Sequence, residues 1–198
     1  GHQVASTPYD YQEMGIGAFL AIFAVLMWRA RGELRRSLLA AVRGERDESE
    51  ALSPRAAWGL LIGGSAFMCG WLWMAGLAGW VGPAYLLLIV AVAVVYARMR
   101  AETGTPMIYL FPFWQHQSLL GNAFGTAGLF GGNDRSLAVL GSLGALSRGF
   151  YPQIAAYGAE GMSIASRSGL RMSRVFSAIA LGTVLGLAFG GALYLSVC

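Results

Sequence analysis

Arg98, Glu102, Gly104 and Pro106 form the most informative polar pattern in the chain, Arg-x-x-x-Glu-x-Gly-x-Pro. An arginine and a glutamate four residues apart can pair on one face of a helix. The glycine and the proline then stop that helix, because both interrupt regular helical backbone. Two interpretations stay open. The pattern is either the capped and charged end of a membrane span, or a gate or binding element beside a broken helix of the kind that transporters use.

His116 is the other residue whose type could do chemistry, because a histidine can ligate a haem iron or a chlorophyll magnesium. It lies in the segment Trp-Gln-His-Gln, close to Pro112 and outside any continuous helical pattern. An ordinary polar loop histidine is therefore the favoured interpretation. His116 is kept as a weak candidate cofactor ligand.

The rest of the sequence offers no catalytic machinery. Cys69 and Cys198 have neither disulfide nor zinc spacing. The sequence contains no nucleophile elbow, phosphate-binding loop or metal-binding helix motif. We therefore predict that the chain is not an enzyme and that it holds no metal. No cofactor is predicted apart from bound lipid, and a pigment contact through His116 is left open.

Composition and long charge-free runs predict an all-α integral membrane protein with about four transmembrane helices plus short interfacial or re-entrant helices. Of the 198 residues, 56% are hydrophobic and only 12% are charged, whereas a soluble domain has about 25% charged residues. No charge occurs over 56–97, a run of 42 positions, and about 20 suffice to cross a bilayer. Gly79 to Pro83 divides this run into a helical hairpin. The predicted spans are 14–28, 57–77, 83–98 and 175–197.

The chain is interpreted as a single membrane domain, 1–198. An Arg-rich loop is predicted at 29–55, with a helix over 30–42 at the headgroup boundary. Segment 103–133 is rich in glycine and aromatic residues, and we expect it to be irregular and either re-entrant or packed against a partner. Further short helices are predicted at 136–147 and 152–167, the second of them interfacial. No Asp, Glu or Arg is expected at membrane depth, which argues against a pump or an ion channel.

The arginines predict the orientation of the chain. All fourteen basic residues are Arg, of which seven lie in 29–55 and seven follow the third span. In the four-span arrangement every one of them falls on the same side. Because cytoplasmic loops carry the excess of basic residues, we expect both regions in the cytoplasm of a bacterium and both termini outside its inner membrane. This partition argues against a nucleic-acid partner.

Small and aromatic residues predict packing surfaces. Small residues at intervals of four allow close helix approach in lipid. The candidate packing residues are Ala178, Gly182, Gly186 and Gly190 in the last span, with Gly59 and Gly63 in the second. The candidate docking residues in the irregular segment are Phe111, Phe113, Trp114, Phe124 and Phe130.

Several of these features together resemble an uncharacterised bacterial family of polytopic membrane proteins described as oligopeptide-transporter-like. The resemblance covers roughly 16–194. It is carried by the 98–106 pattern after a Gly- and Trp-rich hairpin, the Arg-rich helix, Ser53-Pro54, Tyr151-Pro152 and the Ser168-Gly169-Leu170-Arg171…Arg174 approach to the last span. Members of that family are longer. The resemblance therefore implies that this chain is an internal or C-terminal portion of such a carrier, with 98–106 bordering the solute path.

Two functions follow from these observations. In the first, the chain is a non-catalytic accessory or scaffold subunit that packs into a larger membrane complex, such as an energy-converting one, and helps to stabilise it. Its partners are then other membrane subunits and the lipid bilayer. In the alternative, the chain is a portion of an oligopeptide-transporter-like solute carrier.

Overall fold

The structure is a computed structural model that describes residues 11–45, 50–104, 115–130, 134–144 and 152–197. These residues form seven helices and no strand, which confirms the all-α class. Helices α1, α2, α3 and α7 are long and apolar enough to cross a membrane. In chain order, α1 to α7 are Tyr11–Arg43, Pro54–Ala75, Val81–Thr103, Gln115–Phe130, Asp134–Ser142, Pro152–Arg167 and Met172–Val197.

Helix α1 is continuous, where the sequence predicted a span at 14–28 and a separate helix at 30–42. It has 33 residues and is therefore about 50 Å long. Gly32 is the one weak helix former in its charged half, and a single glycine costs only about 1 kcal/mol. The end of α1 packs on the start of α2, where Arg55 Nε donates to the Ala41 carbonyl at 3.2 Å. The charged half therefore extends the first span instead of lying apart from it.

Helix α2 begins and ends at specific caps. The Ser53 hydroxyl accepts a hydrogen bond from the Ala56 amide at 3.3 Å, and Pro54 occupies the first helical position, as the sequence predicts. At the other end Gly76 adopts a left-handed conformation, with φ 105° and ψ 15°, which is the usual way to stop a helix. The short turn after Gly76 leads directly into α3.

Helix α3 is the centre of the described structure. Its most apolar window is 39% buried, compared with 0% for α7. Helices α4 and α5 pack on its N-terminal half through one apolar cluster. This cluster comprises Leu72, Leu77, Val81, Tyr85, Leu88, Leu120, Leu140 and Leu143. Helix α6 packs on the C-terminal half, where Ala156 lies against Val92 and Tyr96.

The bounds of α6 match the predicted helix at 152–167, and the structure shows that this helix packs along α3, while its interfacial position stays a prediction. Ala156 packs against Tyr96, and Glu160 pairs with Arg100. Because the residue numbers rise together, α6 runs alongside α3 and in the same direction. Helix α7 then turns back after Gly169 and packs on α6. The fold thus adds, beside α3, a helix of 16 residues that is shorter than the candidate spans.

Segment 103–133 is more regular than predicted, because it contains α4. This helix is kinked at Gly125, which has φ 67° and ψ 159°. Residues 131–133 and 105–114 lie outside the described residues. Helix α5 covers much of the predicted 136–147 helix, and Ser136 Oγ accepts from the Ala78 amide at 2.9 Å. Helices α4 and α5 therefore cover the α2–α3 turn.

Arg135 overturns the expectation that every arginine lies on one side. Its Nε donates to the Ala75 carbonyl at 3.2 Å, whereas Arg55 lies in the first turn of the same helix. Because α2 has 22 residues and is about 33 Å long, these two arginines lie at opposite ends of a candidate span. Arg135 satisfies a carbonyl left open at a helix C-terminus, where positive charge is also favoured.

Replacing Gly76 by alanine is expected to destabilise the protein. A Cβ at this position would lie 2.5 Å from Arg135 Nε, and the left-handed conformation itself costs a non-glycine residue about 1–3 kcal/mol. The measurement is thermal unfolding in detergent, followed by tryptophan fluorescence. The matched control is Gly79→Ala in the same turn, where a Cβ meets no atom within 4 Å. Equal melting temperatures for the two variants would contradict this account of the turn.

Candidate functional site

A buried ion pair joins α3 to α6. Arg100 Nε lies 2.6 Å from Glu160 Oε2, and the guanidinium carbon lies 3.6 Å from the centroid of the Tyr157 ring. The arginine residue is 6% exposed, whereas 25% of the Glu160 side chain is exposed. Ionisable residues at membrane depth are costly and usually mark functional sites. This pair is therefore the leading candidate site of the described structure.

The guanidinium of Arg100 is only partly satisfied. Its Nη1 is buried and has no hydrogen-bond partner among the described residues. An arginine carries five N–H donors and stays charged, and a buried donor without an acceptor costs about 1–3 kcal/mol. The carboxylate of Glu160 balances the charge of Arg100 and contacts its Nε, but it leaves Nη1 without an acceptor.

Sequence reasoning missed this site because it ended the third span at residue 98. Helix α3 continues to Thr103, so Arg100 belongs to the helix and is buried. The spacing held a usable signal. Val92, Tyr96 and Arg100 recur at intervals of four and therefore share one face of a helix. That face is buried, so an arginine on it predicts a buried partner, although the sequence does not identify Glu160.

The predicted 98–106 pattern lies beside this site but on the other face of α3. Arg98 and Glu102 form an ion pair, with both side chains more than half exposed, and such surface pairs contribute about 0.3–0.5 kcal/mol. Gly104 ends the helix in the left-handed conformation, and its amide donates to the Arg100 carbonyl at 2.8 Å. Pro106 lies outside the described residues. The geometry is that of a capped, charged helix end, and the gate role stays a prediction.

His116 lies at the other end of α3, enclosed by α4 and its neighbours. It is 0% exposed, and its ring meets the Tyr85 ring edge to face at 6.4 Å. The Tyr85 hydroxyl itself donates to the Leu143 carbonyl at 2.9 Å. Within the described part of the chain neither nitrogen of His116 has a hydrogen-bond partner, and burial lowers the pKa of His116 from 6.5 to about 4. A pigment needs an open direction at the ring nitrogen, so this packing favours a neutral core histidine.

The predicted packing residues do not contact the rest of the chain through their small side chains. A Cβ at Gly59, Gly63, Gly182, Gly186 or Gly190 would meet no atom within 4 Å, and Ala178 is exposed. These surfaces therefore remain open to lipid or to another chain.

Of the predicted docking residues, the structure describes only one side chain. Phe124 is exposed and stacks edge to face on Trp80, with ring centroids 5.0 Å apart. Phe111, Phe113 and Trp114 lie outside the described residues, as does the side chain of Phe130. The docking role of this segment stays a prediction.

Four apolar helices of spanning length define the chain as an α-helical integral membrane protein. Within this class, residues 2–198 match the model of a family of unknown function, DUF6785, and the chain belongs to that family. No curated protein and no solved structure matches the chain. The family description states no function, so the resemblance to oligopeptide-transporter-like proteins stays a hypothesis.

The buried neutral state of His116 predicts acid sensitivity. Because its pKa falls from 6.5 to about 4 in the folded protein, the unfolded chain binds more protons between these values. Stability is therefore unaffected above about pH 7, falls as the pH drops below 6.5, and levels off below about 4. The total loss from this group is about 3 kcal/mol.

The measurement is the melting temperature in detergent between pH 7.5 and 4.5, compared with that of His116→Phe. The variant keeps an aromatic ring beside Tyr85 but has no titratable group. We expect a flatter pH profile for the variant. The same slope in both proteins would show that another group controls the acid sensitivity.

Proposed function

We propose that the chain is a non-catalytic membrane subunit that packs into a larger membrane protein complex and helps to stabilise it. The main observation that supports this proposal is the exposure of its candidate spans. The apolar windows of α1 and α2 are 6% buried and that of α7 is 0% buried. Three of the four candidate spans therefore have most of their surface available to other molecules.

The composition of one exposed face supports protein partners over lipid alone. Lipid tails are as apolar as leucine, so exposed leucines need no protein neighbour. Glycines are different, because their small size is useful only where another helix comes close. Gly182, Gly186 and Gly190 form such a stripe on α7, and nothing in the described chain approaches it. A helix of another subunit is the neighbour that this surface fits.

The proposed setting is a bacterial inner membrane. Apart from Arg135, the arginine distribution supports a cytoplasmic position for the 29–55 region and outside positions for both termini. The partners are other membrane subunits and the surrounding lipid, and nucleic acid is not among them. We propose no catalytic role.

A second candidate function is a portion of a solute carrier. The buried pair between Arg100 and Glu160 favours it, because solute and proton pathways use ionisable residues at membrane depth. The resemblance to oligopeptide-transporter-like proteins supports the same alternative. A carrier also needs paired repeats around a central site, which additional spans would have to supply.

Purification of the native particle in mild detergent separates the two candidates. The particle is isolated from its own membrane, and its polypeptides are identified by mass spectrometry. We expect unrelated membrane subunits at fixed stoichiometry. A particle that consists of a single longer polypeptide with eight or more further spans would instead support the carrier.

The glycine stripe can be tested within that particle. We expect Gly186→Leu to weaken assembly at least tenfold, because a bulky side chain separates closely packed helices. The matched control is Ala188→Leu, which adds similar bulk to an exposed position of α7 on the opposite side of the helix. The measurement is the fraction of the chain that co-purifies with its partners. Full assembly of Gly186→Leu would remove the stripe from the interface.

A further inference from the structure

The unsatisfied edge of Arg100 has a chemical preference. A guanidinium presents parallel N–H donors that match the oxygens of carboxylate and phosphate. Glu160 contacts Nε, and Nη1 has no acceptor. The face of the guanidinium is covered by the Tyr157 ring. The guanidinium of Arg100 therefore lacks an oxyanion that accepts a hydrogen bond from Nη1.

The position of Arg100 along α3 indicates which oxyanion it meets. It lies three residues before the end of a helix of 23 residues, which at about 34 Å slightly exceeds the hydrocarbon core of a bilayer. In a centred span this position lies near the edge of the hydrocarbon core, a few ångströms below the headgroup layer. Helix α6 runs alongside α3 and ends nearby, and α7 begins after a short turn. The C-terminal parts of α3 and α6 and the start of α7 carry five arginines against two glutamates among the described residues: Arg98, Arg100, Arg167, Arg171 and Arg174, with Glu102 and Glu160.

The walls of the site can open. Tyr157 is 47% exposed and a quarter of the Glu160 side chain is exposed, whereas Val92 and Tyr96 close the inner side. Within the described part of the chain, Arg100 is the one hydrogen-bonding or charged partner of both outer side chains. An outward rotation of either side chain would uncover the guanidinium of Arg100.

We propose that Arg100, Tyr157 and Glu160 form a phosphate-binding site between α3 and α6, in which a phosphate oxygen accepts from Nη1 of Arg100. Glu160 competes with the phosphate for the same guanidinium. The phosphate belongs either to a phospholipid headgroup or to a free phosphate ion. The site uses no residue of the glycine stripe, so it can be tested separately from the assembly role.

The test measures melting temperature in phosphate-free detergent solution, with the full chain in its native assembly. Three probes are added separately: phosphatidylglycerol, diacylglycerol with the same acyl chains, and inorganic phosphate. Stabilisation by phosphatidylglycerol and not by diacylglycerol identifies a lipid headgroup. Stabilisation that inorganic phosphate reproduces alone identifies the free ion. Absence of any phosphate-dependent shift would overturn the proposal.

Variants then locate the binding. Arg100→Lys keeps the charge but loses the donor fork, and we expect its apparent phosphate affinity to fall about tenfold. The matched control is Arg98→Gln, which removes a charge from the exposed face of the same helix and should change the affinity less than twofold. Equal affinities for the wild type and Arg100→Lys would contradict the site.

The Glu160→Gln variant distinguishes phosphate binding from a purely structural ion pair. It tests the proposal even if Arg100→Lys does not fold. Removing the competing carboxylate should lower the melting temperature without ligand but enlarge the shift that phosphate produces. A structural role alone predicts only the first effect. A variant that melts earlier and responds to phosphate no more than the wild type would overturn the proposal.

Discussion

The packing of α6 along α3 is the interaction on which the rest of the described structure depends. Ala156 lies against Val92 and Tyr96, and the same two faces bring Arg100 to Glu160. The other candidate spans bury little of their apolar windows. Their positions are therefore set by short connections to this pair of helices, through the Gly76 turn for α2 and the Gly169 turn for α7.

The charge of Arg100 explains why α6 must lie so close. Arginine cannot escape burial by losing its proton, so a carboxylate has to accompany it into the packed interior. Removing one partner of such a pair costs about 3–5 kcal/mol, although the intact pair itself adds little to stability. The pair is thus better understood as a constraint on where α6 lies than as a source of folding energy.

Hydropathy predicted the all-α class and the four spanning helices because a long charge-free run is a property of a single stretch of sequence. Caps are equally local, so Ser53, Pro54 and Gly104 were interpretable from the sequence. The positions of Arg100 and Arg135 were not, because their partners lie 60 residues away. Predicting the orientation from the number of arginines in each loop assumes that every arginine is an exposed charge. Arg135 instead binds the end of α2, and Arg100 is buried beside Glu160.

The glycine stripe on α7 and the ion pair between α3 and α6 are connected through one contact between α6 and α7. Gly161 follows Glu160 directly and lies against Ile179, whose Cδ1 would be 3.0 Å from a Cβ at that glycine. A side chain at position 161 would displace Ile179, so the close approach of α7 to α6 depends on this glycine. In the proposed assembly, a partner that packs on α7 would push α7 toward α6 at the contact between Ile179 and Gly161. A partner that displaced this contact would couple its own binding to phosphate binding at Arg100, and such coupling is reciprocal: each ligand would change the affinity of the other by the same factor.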